Sequence, residues 1–236
     1  NLLKGYRNRW VAYFDILGFS ADVISAQNDI QKLMILDKYQ DVLAELSRSC
    51  RDWKSSLSTL WFSDTFIIYS NWGSGRAYSQ IHCAATAFID SCFSHRVAFR
   101  GAISFGSLFA DKKTRVIIGP ALIEAYSDAE CSKWIGLRLT ESAVERVKKI
   151  GLNPAHHYFV ETEIPVKQIN NDNGIESNKV NGYAYNFCRG PSNYANPHLR
   201  FLEEMKRFAP EKDVSKYDLT IEHIKRWHRD IPIGEN

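Results

Sequence analysis

The chain has 236 residues, 44% of them hydrophobic and 24% charged, a mixture that excludes disordered, collagen-like and coiled-coil proteins. Its formal net charge of +3 at pH 7 is too small to indicate a nucleic-acid partner, and no apolar run is long enough to span a bilayer. The five cysteines are widely spaced without a C-x-x-C pair, which predicts a reduced, cytoplasmic protein. Because no linker divides the chain, we predict a single domain over residues 1–236.

Apolar patterning predicts strands and helices in mixed order along the chain. The residues from 10 to 17 form an almost continuous apolar run that is typical of a buried central strand. Further strands are predicted at 57–62, 66–69, 97–105, 115–118, 158–160, 165–167 and 183–187, with a loop at 170–181. Helices are predicted at 29–46, 76–93, from Gly119-Pro120 onward, at 137–149 and at 215–228. This order predicts an α+β fold with helices on one face of a sheet.

Two isolated carboxylates stand out among the predicted strands. Asp15 is the only charged residue in its apolar run, and alternation places it on the face opposite Phe14 and Ile16. Asp64 lies at the bend between two apolar strands of a predicted hairpin. Adjacent strands that bring these carboxylates together would need a cation between them, and Mg²⁺ prefers such oxygen ligands. In the structural alternative, Asp64 forms a turn and Asp15 pairs with a buried arginine.

Arg100 interrupts a third apolar strand, VAFRGAISFG. The neighbouring Gly101 and Gly106 are expected to leave the backbone accessible around it. A guanidinium group at such a position can bind phosphate oxygens through two hydrogen bonds. The alternative is that Arg100 is the structural partner of Asp15 or Asp64.

Four segments resemble the catalytic domain of class III nucleotidyl cyclases, and most closely the pyrimidine cyclases of bacterial anti-phage (Pycsar) systems. They are YFDILGFS (13–20), FSDT (62–65), FRGAISFG (99–106) and IIGPALIEAY (117–126). The pattern F-x-D-I-x-G-F followed by a hairpin aspartate is the most specific part, and the order of the segments supports the rest. The resemblance covers about residues 10–187 and leaves about 195–236 as a helical extension. It implies a ferredoxin-like mixed sheet with helices packed on it.

The resemblance also implies a catalytic site. Asp15, Asp64 and the backbone carbonyl of Ile16 would hold two divalent metal ions, Mn²⁺ or Mg²⁺. Arg100 and Lys167 would bind the triphosphate, and the substrate-binding residues would also include Phe14, Leu60 and Val116. The implied reaction is attack of the ribose 3′-hydroxyl on the α-phosphate, which releases pyrophosphate and forms a 3′,5′-cyclic monophosphate.

The base-facing positions indicate which nucleotide is used. Purine cyclases of this class carry polar residues at the positions that match Leu60 and Val116. A purine edge that faced these apolar side chains would leave its polar groups unpaired, at a cost of about 1–3 kcal/mol each. We therefore expect a pyrimidine substrate, UTP or CTP, and the resemblance favours UTP.

Two departures from the family pattern keep other functions open. The family's transition-state asparagine and arginine match Ile123 and Ser127, and neither side chain can perform that task. A catalytically silent nucleotide-binding module is therefore a second hypothesis. A purine cyclase is a third, if Leu60 and Val116 do not face the base.

The resemblance implies partners as well. Class III catalytic domains build each site from two copies, so we expect a homodimer whose interface includes the helix that begins at Pro120. The product, cyclic UMP, would be a second messenger in antiviral defence and would be read by a separate cyclic-nucleotide-binding effector. We expect neither a nucleic-acid partner nor a membrane partner.

Overall fold

The computed structural model describes residues 5–49, 56–156, 158–170, 176–188 and 197–230. Their strands are β1 (Tyr6–Ile16), β2 (Leu57–Phe62), β3 (Thr65–Ser70), β4 (Phe99–Asp111), β5 (Val116–Ile118), β6 (Gly136–Leu139), β7 (Phe159–Asn170) and β8 (Glu176–Tyr185). Their helices are α1 (Phe19–Ser25), α2 (Asp29–Ser49), α3 (Gly75–Ser94), α4 (Pro120–Cys131), α5 (Glu141–Lys149), α6 (Pro197–Lys206) and α7 (Glu211–Asp230). The strands form one mixed sheet in the order β2-β3-β1-β4-β6-β8-β7, and β5 pairs with β4. The predicted α+β fold class is confirmed.

Strand β1 is the centre of the molecule, as its apolar run predicts. It pairs antiparallel with β3 on one side and with β4 on the other. Trp10, Ala12 and Phe14 are fully buried on one face of the sheet, and Val11 and Tyr13 are buried on the other. Because both faces of β1 are apolar, both must be covered.

Helices cover both faces of the sheet, which corrects the expectation that they lie on one face. The main core lies between the sheet and the other helices, and in it Phe88 of α3 stacks on Phe66 of β3 at 4.4 Å between ring centroids. Helix α4 covers the opposite face with Ala121, Ala125 and Ala129, all fully or almost fully buried. Alanines at this four-residue spacing lie on one side of a helix and let it approach the sheet closely.

Most predicted elements are confirmed, and the main exception is the segment 137–149. Its first residues form β6, which pairs in parallel with Arg100–Ile103 of β4. The helix α5 begins after Thr140, whose side chain accepts a hydrogen bond from the Ala143 amide as an N-cap. A four-residue apolar strand cannot be distinguished from a helix turn by periodicity alone, and only its pairing with β4 decides the matter.

The C-terminal half shows smaller differences. The strands predicted at 158–160 and 165–167 are parts of the single strand β7, which forms a long hairpin with β8. The loop predicted at 170–181 is strand from Glu176 onward, and residues 171–175 lie outside the described ranges. Within the predicted extension, α6 and α7 contribute Leu202 and Ile224 to the main core. No helix in the described parts of the chain has the length and apolar character needed to cross a membrane.

Candidate functional site

Asp15 and Arg100 face each other across two paired strands. Asp15 on β1 lies opposite Arg100 on β4 and opposite Thr65 on β3. The Arg100 Nε donates a hydrogen bond to Asp15 Oδ2 at 2.7 Å, and the two side chains are only 10% and 14% exposed. The buried arginine partner that is the structural alternative for Asp15 is therefore present. Strand alternation places this pair on the face that α4 covers.

Glu130 completes this ion pair from the last turn of α4, and the sequence analysis missed it. Its carboxylate accepts a hydrogen bond from Arg100 Nη2, and its backbone carbonyl accepts one from Arg100 Nη1 at 3.1 Å. The guanidinium thus also caps the C-terminal end of α4. The one signal in the sequence was an acidic residue in the last turn of a predicted helix, where the helix dipole disfavours negative charge.

Lys167 meets the same carboxylate from β7. Its Nζ donates to Glu130 Oε2 at 3.3 Å, while its side chain stays 54% exposed. A backbone hydrogen bond from Lys133 to Pro165, at 2.9 Å, ties β7 to the segment that follows α4. The structure thereby brings the two predicted phosphate-binding cations to one place, although 67 positions separate them in the chain.

Asp64 lies in the two-residue turn between β2 and β3. Ser63 takes a left-handed conformation there, with φ at 55°. The Ile16 amide donates to the Asp64 carbonyl at 2.7 Å, so the turn is attached to the end of β1, one residue beyond Asp15. The backbone of Asp64 is therefore held beside the end of β1, next to Asp15.

The carboxylates of this site repel one another and so affect the pKa of Asp15. Burial raises the pKa of Asp15, Arg100 opposes that shift through its hydrogen bond and charge, and Glu130 and Asp64 add to it. Burial lowers the pKa of Arg100, but the hydrogen bonds and charges of Asp15 and Glu130 outweigh burial and raise it overall. A divalent cation near Asp15 and Asp64 would relieve the excess of negative charge.

The donor set fits a hard divalent ion. Asp15 and Asp64 offer carboxylate oxygens and Ile16 a backbone carbonyl, which are the ligands that Mg²⁺ and Mn²⁺ prefer. Throughout the described ranges, no three or more His, Cys, Asp or Glu side chains form a group that could hold a metal ion. A metal at this edge would therefore depend on two carboxylates, the carbonyl and oxygens of the substrate.

Phe14 and Gly101 have packing roles that the sequence analysis did not expect. The Phe14 side chain is fully buried in the main core, 4.6 Å from Phe88 between ring centroids, so it is not available to a substrate. A Cβ at Gly101 would lie 2.5 Å from the Tyr13 carbonyl oxygen, so this glycine lets β1 and β4 approach closely. The expectation that Gly101 leaves backbone accessible is therefore wrong.

The predicted base-facing residues lie on two different strands, Leu60 on β2 and Val116 on β5. Leu60 is half-buried and packs against the small cluster of buried residues on the α4 side. Val116 is 38% exposed. Leu60 also lines a cleft of about 600 Å³ together with Trp61, Arg115 and Ile117.

Helix α4 presents apolar side chains to solvent at the positions where the resemblance calls for catalytic groups. Ile123 is 64% exposed and Tyr126 is 49% exposed, and Ser127 is also exposed. The Tyr126 ring contacts Tyr13 edge-on, with 5.7 Å between centroids. The described part of α4 thus provides apolar groups and two hydroxyls here, without an asparagine or arginine.

Comparisons with known proteins establish the fold. No protein family and no curated protein matches the sequence. The adenylyl cyclase CyaB from P. aeruginosa is similar in structure, with 16% identity over 77% of this chain and 94% of that chain and a TM-score of 0.51. A bacterial light-regulated adenylyl cyclase is similar with 11% identity over 85% of this chain and 98% of that chain and a TM-score of 0.50. The chain therefore has the class III nucleotidyl cyclase-like fold, a mixed sheet with helices packed on both faces.

Proposed function

We propose that this chain is a metal-dependent nucleotidyl cyclase that converts a pyrimidine nucleoside triphosphate to its 3′,5′-cyclic monophosphate and pyrophosphate. UTP is the favoured substrate and CTP the alternative. The observation that carries the proposal is that Asp15, Asp64 and Arg100 lie near one another at the ends of neighbouring strands, in a chain with the cyclase-like fold.

The chain's own residues would position the triphosphate. Arg100 and Lys167 present guanidinium and ammonium donors from two strands, and phosphate oxygens accept such hydrogen bonds. Asp15, Asp64 and the Ile16 carbonyl would hold two divalent ions, which when bound neutralise phosphate charge and lower the pKa of the attacking 3′-hydroxyl. Because Arg100 is nearly buried, its charge acts on the phosphate with little screening by water.

The choice of a pyrimidine rests on Leu60 and Val116. Neither side chain can satisfy the hydrogen-bonding edge of adenine or guanine. An enzyme that uses ATP or GTP would have to read the base with other residues. Product formation from purine and pyrimidine triphosphates therefore distinguishes the two assignments.

A homodimer is part of the proposal. The exposed apolar residues of β5 and α4 form one continuous stretch of chain, and they are Val116, Ile118, Ile123 and Tyr126. Burial of such a surface favours association, and a second copy could bring these residues to the base of a nucleotide bound at Asp15. We further propose that the product acts as a second messenger in antiviral defence through a separate effector, which rests on the resemblance of segments 13–20 and 117–126.

A second candidate function is nucleotide binding without turnover. Ile123 and Ser127 favour it, because neither an apolar side chain nor a lone hydroxyl can stabilise the charge of a phosphoryl transition state. Such a protein would bind a triphosphate at Arg100 and Lys167 and release no pyrophosphate.

The test is to incubate the purified protein with Mn²⁺ or Mg²⁺ and each of the four ribonucleoside triphosphates, and to identify products by mass spectrometry. We expect cyclic UMP from UTP, none from Asp15→Asn, and unchanged turnover from the control Asp29→Asn, whose carboxylate is 94% exposed on α2. Product from ATP or GTP alone would replace the pyrimidine assignment by the purine one. Binding without product would favour the silent module, and neither binding nor product would refute both.

A further inference from the structure

The two cations that are proposed to bind phosphate both pair with one carboxylate. Arg100 Nη2 donates to Glu130 Oε1, and Lys167 Nζ donates to Glu130 Oε2 at 3.3 Å. Guanidinium and ammonium donors bind carboxylate and phosphate oxygens in the same manner. Together with Asp15, which accepts from Arg100 Nε, the four side chains have no net formal charge. A triphosphate that binds both cations must therefore compete with these carboxylates.

The location of Glu130 on α4 is unfavourable for the helix itself. It lies in the last turn, where the helix dipole disfavours an acidic group, and that turn has no basic residue. Arg100 and Lys167 provide the compensating charge from other strands. Loss of the Glu130 carboxylate would leave Arg100 anchored, because the Glu130 backbone carbonyl still accepts from Nη1 at 3.1 Å and Asp15 still accepts from Nε.

We propose that Glu130 is an internal counter-ion that occupies the phosphate position and is displaced when the triphosphate binds. The inference rests on the proposed function and names the residue that sets the affinity of the phosphate site. On binding, phosphate oxygens replace Oε1 and Oε2 as acceptors for Arg100 and Lys167. The Glu130 side chain, already 33% exposed, turns toward water.

The test substitutes Glu130→Gln and measures binding of inorganic tripolyphosphate by isothermal titration calorimetry, in the presence of EDTA. The amide keeps the size of the side chain and removes the competing charge. Because the ion pairs it removes are only partly buried, we expect the variant to bind roughly three- to tenfold more tightly than the wild-type chain. The matched control is Glu163→Gln on β7, which changes the net charge equally but pairs with Lys179 at 3.1 Å, and its affinity should match the wild type.

A purely structural role for Glu130 predicts the opposite sign, a weaker complex. Unchanged or weaker binding by Glu130→Gln therefore overturns the inference, provided that circular dichroism shows both variants folded. A second variant, Lys167→Gln, should bind tripolyphosphate more weakly than the wild-type chain. In the double variant, Glu130→Gln should then increase the affinity by a smaller factor than it does alone. If Glu130→Gln increased the affinity by the same factor in both backgrounds, Glu130 would not compete with phosphate at Lys167.

The same titrations distinguish failure of the inference from failure of the proposed function. If the wild-type chain produces a cyclic nucleotide but Glu130→Gln gains no affinity for tripolyphosphate, the inference is wrong and the function stands. If the wild-type chain and Glu130→Gln bind no tripolyphosphate and produce no cyclic nucleotide, both are wrong.

Discussion

The substitution Gly101→Ala tests how the two central strands are held together. A Cβ at this position would lie 2.5 Å from the Tyr13 carbonyl oxygen, 2.9 Å from Phe14 Cδ1 and 3.2 Å from Leu137 Cδ1. The first contact is with backbone, which cannot turn aside as a flexible side chain can. The pairing of Gly101 with Phe14 must therefore open locally, next to the pair formed by Asp15 and Arg100.

The expected loss in the free energy of unfolding is about 3 kcal/mol, at the upper end of what overpacking usually costs. Urea unfolding would report it through tryptophan fluorescence, because Trp10 and Trp134 are fully buried and become exposed on unfolding. With a urea dependence of roughly 2–3 kcal/mol per molar, the midpoint should fall by about 1 M. The variants must be compared at equal protein concentration, since the proposed dimerisation would add to stability.

Gly106→Ala is the matched control on the same strand. There the nearest heavy atom to a new Cβ is Ala121 Cβ at 3.5 Å, which is ordinary van der Waals contact. Its expected effect is within about 1 kcal/mol of the wild type, because reduced freedom of the unfolded chain offsets small losses. Equal stabilities for the two variants would refute the close approach of β1 and β4 at Gly101.

Further predictions concern titration and association. Burial raises the pKa of Asp15, so the folded chain binds the proton of this carboxyl more tightly than the unfolded chain does. The stability of Asp15→Asn relative to the wild type should therefore rise with pH in the acid range. The same variant should have no turnover. A stability clearly below wild type at pH 7 would contradict this. Burial lowers the pKa of His82 to about 4, so its protonation is disfavoured by folding. His82 should therefore lower the free energy of unfolding by roughly 2 kcal/mol between pH 7 and pH 5. In urea titrations, the free energy of unfolding of His82→Gln should fall less over this pH range by that amount. Ile123→Asp should shift the proposed dimer to monomer in sedimentation velocity while circular dichroism shows a folded chain, because this side chain is 64% exposed. An unchanged dimer would place the interface elsewhere.

Local patterning was sufficient for most elements and for two site residues. The apolar run of β1 predicts both the central strand and the face on which Asp15 lies, because side chains alternate strictly along a strand. The two short apolar runs around Ser63 predict the hairpin that carries Asp64. These features depend on neighbours in the chain, so they can be read without tertiary contacts.

The partners of Arg100 could not be read in this way. Its guanidinium binds Asp15 from β1 and Glu130 from α4, which lie 85 and 30 positions away in the chain. From the sequence, Asp15 or Asp64 is a possible structural partner of Arg100, and phosphate is the functional one. Which of them an arginine meets depends on strand order and on where a helix ends, and neither is a local property.

By itself the sequence determined an α+β chain with a buried central strand, two isolated carboxylates at strand ends and an arginine within a third strand. Only the tertiary structure decided that α4 covers the second face of the sheet and that β6 is a strand. It also decided that Phe14 and Gly101 serve packing and that Glu130 joins Arg100 to Lys167. The physical reason is that periodicity shows which face of an element is apolar, whereas the partner of a buried charge is selected by contacts between segments far apart in the chain.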